Sequence, residues 1–218
     1  RWMLNLAEQY PWIAGVVGWC DLQAENVGER LERLYHPRLV GLRHMVQDEA
    51  DPHFLRRAGF IAGVREAARR GLTYDLLFVA DQASAAPRFI EGGGEGRFVL
   101  DHGATPKIRE RGWQPWAGAI AEIARFPNVW CKVSGLVTEA DHEAWTADDI
   151  APYLDHLLDC FGPERLIFGS DWPVCTLAAG YEQVQGLIED FVARRCPEHA
   201  ASVFGGAARR AYALDGRE

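Results

Sequence analysis

Six short apolar runs, rich in β-branched and aromatic residues, recur along this chain with helical periodicities between them. They cover residues 13–19, 39–42, 73–79, 98–100, 129–133 and 166–168. The clearest helix between them places Ile150, Tyr153, Leu154, Leu157, Leu158 and Phe161 on one face, with Thr146 and Asp149 as a capping start and Gly162-Pro163 as a stop. Ile61, Val64 and Ala68 form another stripe, closed by Gly71. Two more lead into Pro127 and Pro197: Ile120, Ile123 and Ala124, then Val184, Leu187, Ile188, Phe191 and Val192. Strands alternating with helices of about 10–15 residues predict parallel strands joined by right-handed crossovers.

Two architectures satisfy that rhythm, an open doubly wound sheet and a βα barrel. The polar residues separate them. An open sheet gathers its chemistry at one switch point and leaves most strand ends plain. Here nearly every run ends in a chemically capable group: Trp19 and Asp21, Arg43 and His44, Asp81, Asp101 and His102, Lys132 and Ser134, then Asp171. A ring of such ends is what a barrel converges on one axial pocket. The expected fold is therefore α/β, a TIM-barrel-like (β/α)8 domain spanning residues 1–218, with the first one or two strands lacking. An amphipathic segment with no N-cap, carrying Trp2, Leu6 and Tyr10 around Glu8 and Gln9, opens the chain and points the same way.

Composition narrows the partners. A net charge of −8 over 218 residues, with Lys and Arg scattered, leaves no basic footprint for nucleic acid. No apolar run approaches the roughly 18 residues that would span a bilayer. Five cysteines without any Cys-x-x-Cys spacing argue against a disulfide framework or zinc knuckle, and for a reducing cytoplasm.

Asp171 ends the run Leu166-Ile167-Phe168-Gly169-Ser170 and is followed by Trp172-Pro173, where Pro173 forbids a continuing ladder. A carboxylate so placed can take a proton from water, bind a cation, or cap the next turn. His102 suits metal ligation or proton transfer. Strand alternation sends Asp101 to the face opposite His102, in an orienting or structural role. Arg43 and His44 can donate to a carboxylate, lactone or sugar oxygen, or form a rim ion pair with Asp48 or Glu49. Lys132 can polarise a carbonyl oxygen or sit in a structural salt bridge. Gly92-Gly93-Gly94-Glu95-Gly96 lies between a helical segment and a strand, the wrong context for a phosphate loop, and reads as a turn. Ser170 is outside any Gly-x-Ser-x-Gly, and Cys131 and Cys175 read as buried thiols.

Five segments taken together resemble a known family: Gly18-Trp19-Cys20-Asp21-Leu22, Gly41-Leu42-Arg43-His44-Met45-Val46-Gln47-Asp48-Glu49, Phe98-Val99-Leu100-Asp101-His102, Cys131-Lys132-Val133-Ser134-Gly135-Leu136 and Phe168-Gly169-Ser170-Asp171-Trp172-Pro173-Val174. In this order they look like the sugar-acid lactonase branch of the amidohydrolase superfamily, to which L-fuconolactonase and L-rhamnonolactonase belong. The resemblance implies a distorted (β/α)8 barrel that opens an aldonolactone with metal- or Asp-activated water. It implies Asp171 and His102 as catalytic residues and metal ligands, and a divalent metal ion, zinc, as cofactor. Arg43, His44, Trp19, Lys132 and Trp172 are the expected substrate-binding residues, and a small sugar lactone the expected partner. Monomer and homo-oligomer both stay open.

The family's opening His-x-His strand, its main metal-ligand source, is missing here, so a metal held only by His102 and Asp171 is expected to bind weakly. Gly205-Gly206 is followed by Ala207 where the family usually has Asn, which removes a polar cap. A metal-dependent decarboxylase of the same superfamily and a non-catalytic barrel that binds a partner are the alternatives.

Overall fold

The computed structural model describes residues 1–215. The six apolar runs form β1 (Val16–Gly18), β2 (Leu39–Met45), β3 (Thr73–Leu77), β4 (Phe98–Leu100), β5 (Val129–Val133) and β6 (Leu166–Phe168). All neighbouring pairs are parallel, and the order is β1-β2-β3-β4-β5-β6. A doubly wound sheet reverses its strand order at a switch point. This one never does, so it is the wall of a βα barrel, six strands of the eight that close such a wall.

The helices are α1 (Trp2–Gln9), α2 (Val27–Leu34), α3 (Ala58–Arg69), α4 (Ala86–Gly93), α5 (Trp116–Ala124), α6 (Ala147–Phe161), α7 (Tyr181–Arg195) and α8 (Ala207–Ala211). In α6 the whole expected stripe is buried, and the Thr146 N–H donates to Asp149 Oδ2 at 2.9 Å to cap its start. The glycine-rich segment is the end of α4 and the turn after it, with Gly94 at φ +78°. In α1 the face that packs differs from the expected stripe. Leu4 and Ala7 are buried while the Trp2 and Tyr10 rings are exposed, because the smaller side chains let the helix lie close to β1.

Two apolar layers sandwich the sheet. The larger lies between the strands and the outer helices and is built around Phe54, Phe60, Phe89, Phe98, Ile120, Ile123 and Leu157. The smaller lies on the concave face: Val40, Val99 and Ile167 pack against Ala207, Ala211 and Tyr212. The small residues of α8 let it seat inside the curve near the amino ends of the strands. Thr73 Oγ1 and Arg97 Nε both donate to the Ala211 carbonyl there, at 2.7 and 3.0 Å. The interior at its base is thus mainly apolar, with Thr73 and Arg97 bonding the α8 backbone, and its other charged side chains lie above, toward the carboxyl ends.

Candidate active site

Period-2 alternation turns Arg43, Asp75 and Lys132 into the concave face, where Asp101 joins them. Asp75 and Asp101 are fully buried. An unpaired charge in such a place is costly, so the four form a chain of alternating sign. Lys132 Nζ lies 2.6 Å from Asp75 Oδ2 and 2.6 Å from Asp101 Oδ1. Arg43 donates to Asp101 Oδ2 at 3.1 Å, and the Tyr212 hydroxyl sits 2.9 and 2.8 Å from the two Asp75 oxygens. Two cations face two carboxylates, and the interior is neutral overall.

The carboxylates differ in how many cations they hold. Burial raises Asp75, with Asp101 adding to it, and Lys132 and Tyr212 only partly oppose this, so its pKa reaches about 6. Burial would raise Asp101 too, but Lys132, His102 and Arg43 outweigh it and hold this carboxyl below its ordinary value. Burial would lower Lys132, and the two carboxylates overcome that and keep it charged.

Above this network stand His102 and Asp171, with His102 Nε2 3.6 Å from Asp171 Oδ1 and His102 Nδ1 2.9 Å from Ser134 Oγ. Alternation predicts His102 on the face opposite Asp101; the structure differs because β4 ends at Leu100 and His102 has φ +53°. That left-handed residue swings the imidazole back over the pocket. Gly135 makes room for it: at φ +66°, a Cβ here would stand 2.7 Å from His102 Nδ1. Burial lowers the imidazole pKa, with Lys132 and Arg43 adding to the effect and Asp101 and Asp171 opposing it, so His102 is neutral near pH 7. Burial and the Asp101 carboxylate push Asp171 above its ordinary value, and His102, Arg43 and Lys132 do not offset them.

The remaining predicted residues take different positions. Trp19 and Trp172 flank the carboxyl ends with 61% and 65% of their surface exposed. The Trp19 indole N–H donates to His44 Nδ1 at 3.2 Å, and His44 Nε2 meets Glu49 Oε1 at 2.7 Å. Indole can only donate, so Nδ1 is the acceptor and the Nε2 proton faces Glu49. The same ring stacks on Phe54, 4.9 Å between centroids and 3° between planes. Both His44 nitrogens are thus engaged within the fold. Asp81 pairs with Lys107 at an exposed site, and Asp21 caps a turn through the Gln23 N–H. Cys131 and Cys175 are buried thiols whose pKa values burial raises. Sequence reasoning missed Asp75 and Tyr212. It also missed Glu139, a half-buried acid raised by burial and by the Asp171 carboxylate.

A metal ion would find two suitable donors here. His102 Nε2 and Asp171 Oδ1 are about as far apart as adjacent ligands, each about 2.0–2.1 Å from a zinc ion. Among the described residues no three His, Cys, Asp or Glu side chains gather closely enough to hold one. The pair fits two positions of a coordination shell.

Six parallel strands carrying an imidazole, carboxylates and cations at their carboxyl ends define a βα-barrel protein with an axial polar site. More particularly, the chain belongs to the amidohydrolase family, whose model, described as Amidohydrolase, matches residues 1–214. It is 40% identical to an L-fucono-1,5-lactonase of Burkholderia multivorans, over 97% of this chain and 75% of that protein. An L-fucono-1,5-lactonase of Burkholderia ambifaria is 34% identical over 99% of this chain and 76% of its own length. A crystal structure of an amidohydrolase from Burkholderia multivorans with bound zinc superposes with a TM-score of 0.93 at 40% identity, covering 98% of this chain and 78% of that one. The family expected from the five segments is the family found.

Proposed function

We propose that this chain hydrolyses a sugar-acid lactone, opening an aldonolactone ring of the L-fucono-1,5-lactone kind. The observation that carries this is Asp171 beside a neutral His102 and within the field of Arg43, in a chain 40% identical to a lactonase over nearly its whole length.

Desolvation makes Asp171 a better base than a solvated carboxylate. It takes a proton from water as the oxygen attacks the lactone carbonyl carbon. Arg43 uses one N–H on Asp101 and keeps a side chain 41% exposed, so its other N–H groups can meet the developing oxyanion. The ring C–O bond then breaks, and Asp171 returns its proton to the departing ring oxygen. The product hydroxy acid ionises and releases one proton. Held by His102 Nε2 and Asp171 Oδ1, a divalent ion such as zinc would supply Lewis acidity at the same carbonyl. Lys132 acts from below, fixing Asp101 and through it Arg43. Five unpaired cysteines support a reducing, cytoplasmic setting.

Trp19 and Trp172 offer ring faces to the C–H face of a sugar lactone. His44→Phe keeps the stack on Phe54 and removes both the acceptor for Trp19 and the hydrogen bond to Glu49, of which the first bears on the ring platform. It is expected to raise KM about fivefold, one neutral hydrogen bond of about 1 kcal/mol, with kcat little changed. A kcat loss at constant KM would move His44 from platform support to the reaction itself.

A panel of aldonolactones, assayed with and without chelator, tests the reaction. Proton release without carbon dioxide is expected. Carbon dioxide from a carboxylic acid substrate would establish the decarboxylase alternative, and inertness toward both substrate classes would favour the binding-domain alternative.

A further inference from the structure

Residues 102–105 make a full left-handed turn, with φ +53° at His102, +54° at Gly103, +60° at Ala104 and +43° at Thr105. The Thr105 N–H closes it on the His102 carbonyl at 2.9 Å. Only glycine adopts this backbone without strain, and for β-branched threonine it is a genuine outlier. Such a turn persists only where its surroundings overdetermine it.

Three contacts do so. Thr105 Oγ1 donates to the Phe78 carbonyl, one residue past β3, at 3.1 Å. The indole N–H of Trp116 donates to the Gly103 carbonyl at 2.7 Å. Trp116 is itself among the largest fully buried side chains, wedged at ring distances of 5.2 and 5.3 Å from Tyr153 and His156 of α6. Finally, Gly103 passes so close to α6 that a Cβ on it would stand 2.8 Å from Leu157 Cδ1. Among the described residues neither Thr105 nor Trp116 hydrogen-bonds to Asp171. Each bears on the backbone that aims His102.

We propose that this left-handed turn is a preorganising clamp for His102, with Thr105 and Trp116 as positioning residues of the active site. The inference rests on the lactonase reading, since it assigns them an effect on turnover. Without the clamp, the residue after Asp101 would relax toward ordinary right-handed or extended backbone and carry the imidazole away from Asp171. Substrate contacts would remain, so the loss belongs in kcat.

Three variants in the full chain test it: Thr105→Val, which removes the hydroxyl at nearly constant shape, Thr105→Ser, which keeps it, and Trp116→Phe, which keeps a ring and removes the N–H. Thr105→Val and Trp116→Phe are expected to lose about 10- to 100-fold in kcat, the usual effect of losing a support behind a metal-holding imidazole, with KM nearly unchanged. Thr105→Ser is expected to stay near the parent. The second readout needs no substrate: the ring-nitrogen NMR signals of His102 at fixed pH, assigned by their loss in His102→Gln. One sharp set is expected in the parent and in Thr105→Ser, and shifted or doubled signals in Thr105→Val. Should Trp116→Phe fail to fold, the Thr105 pair decides alone. A parent-like His102 spectrum in Thr105→Val overturns the clamp, as does an equal kcat loss in Thr105→Ser. A perturbed spectrum in Thr105→Val beside a parent that opens no lactone keeps the clamp and overturns the lactonase reading.

Discussion

Lys132→Met lowers the stability of the folded chain by about 3 kcal/mol near neutral pH, the low end of the cost of removing one partner from a buried ion pair. The low end applies because Arg43 stays on Asp101 and the Tyr212 hydroxyl stays on Asp75. What loses its ammonium is a pair of carboxylates with no access to water. Burial and mutual repulsion then raise both above their unfolded values. A carboxyl of that kind contributes stability at low pH and loses it as the pH rises, so the variant regains stability between neutrality and about pH 5. In the parent chain Asp75, raised to about 6, gives a smaller gain over the same window, while Asp101, held low, stays ionised throughout it and loses its contribution only below the ordinary carboxylate range. Urea melts at the two pH values should show a variant that recovers more than the parent does. Adding Asp75→Asn to Lys132→Met should restore much of the loss, because Asn still accepts from Tyr212 without a charge. A loss under about 1 kcal/mol, the size of an exposed pair, would show that the ammonium does not hold the interior together.

This network also marks the limit of what the sequence reveals. Strand positions are legible because β-branched runs bounded by Gly and Pro leave little choice, and the barrel wall is legible because polar groups end nearly every run. The family, too, was within reach, since its five segments are local strings. Asp75 is hidden because it sits inside the otherwise apolar strand Thr73-Tyr74-Asp75-Leu76-Leu77, while the more conspicuous Asp81 beyond the strand lies outside, pairing with Lys107. A carboxylate at an inward position of an otherwise apolar strand is the signal that could have found it, since it must be paired. Tyr212 carries no local signal, because its partner is 137 residues away and only the seating of α8 in the concave face brings them together. His102 was misdirected by alternation for a different reason. Alternation describes a strand, and the backbone leaves the strand at the very residue that matters.

Asp171→Asn separates activity from stability, and the two should move in opposite directions. Asn keeps the shape and removes the basic oxygen, so lactone opening is expected to fall by about 10²–10⁴-fold, the usual contribution of a positioned general base. KM should change little, because Arg43 and the two exposed indoles are untouched. The fold should not suffer. Burial, first, and the Asp101 carboxylate raise the Asp171 pKa, which means that its ionised form is less comfortable in the folded chain than in the unfolded one. Its contribution to stability is therefore fully present only below the ordinary carboxylate value and is lost as the pH rises through the raised one. A neutral Asn removes that loss. In chelator, Tm of Asp171→Asn is expected to equal or exceed the parent's near neutrality, and the difference to vanish on acidification. An inactive variant with a higher Tm is the signature of a charge kept for chemistry at the expense of the fold. A variant that loses Tm near neutral pH would instead make Asp171 a structural cap on the turn after β6, and turnover at the parent's rate would return the base to another residue.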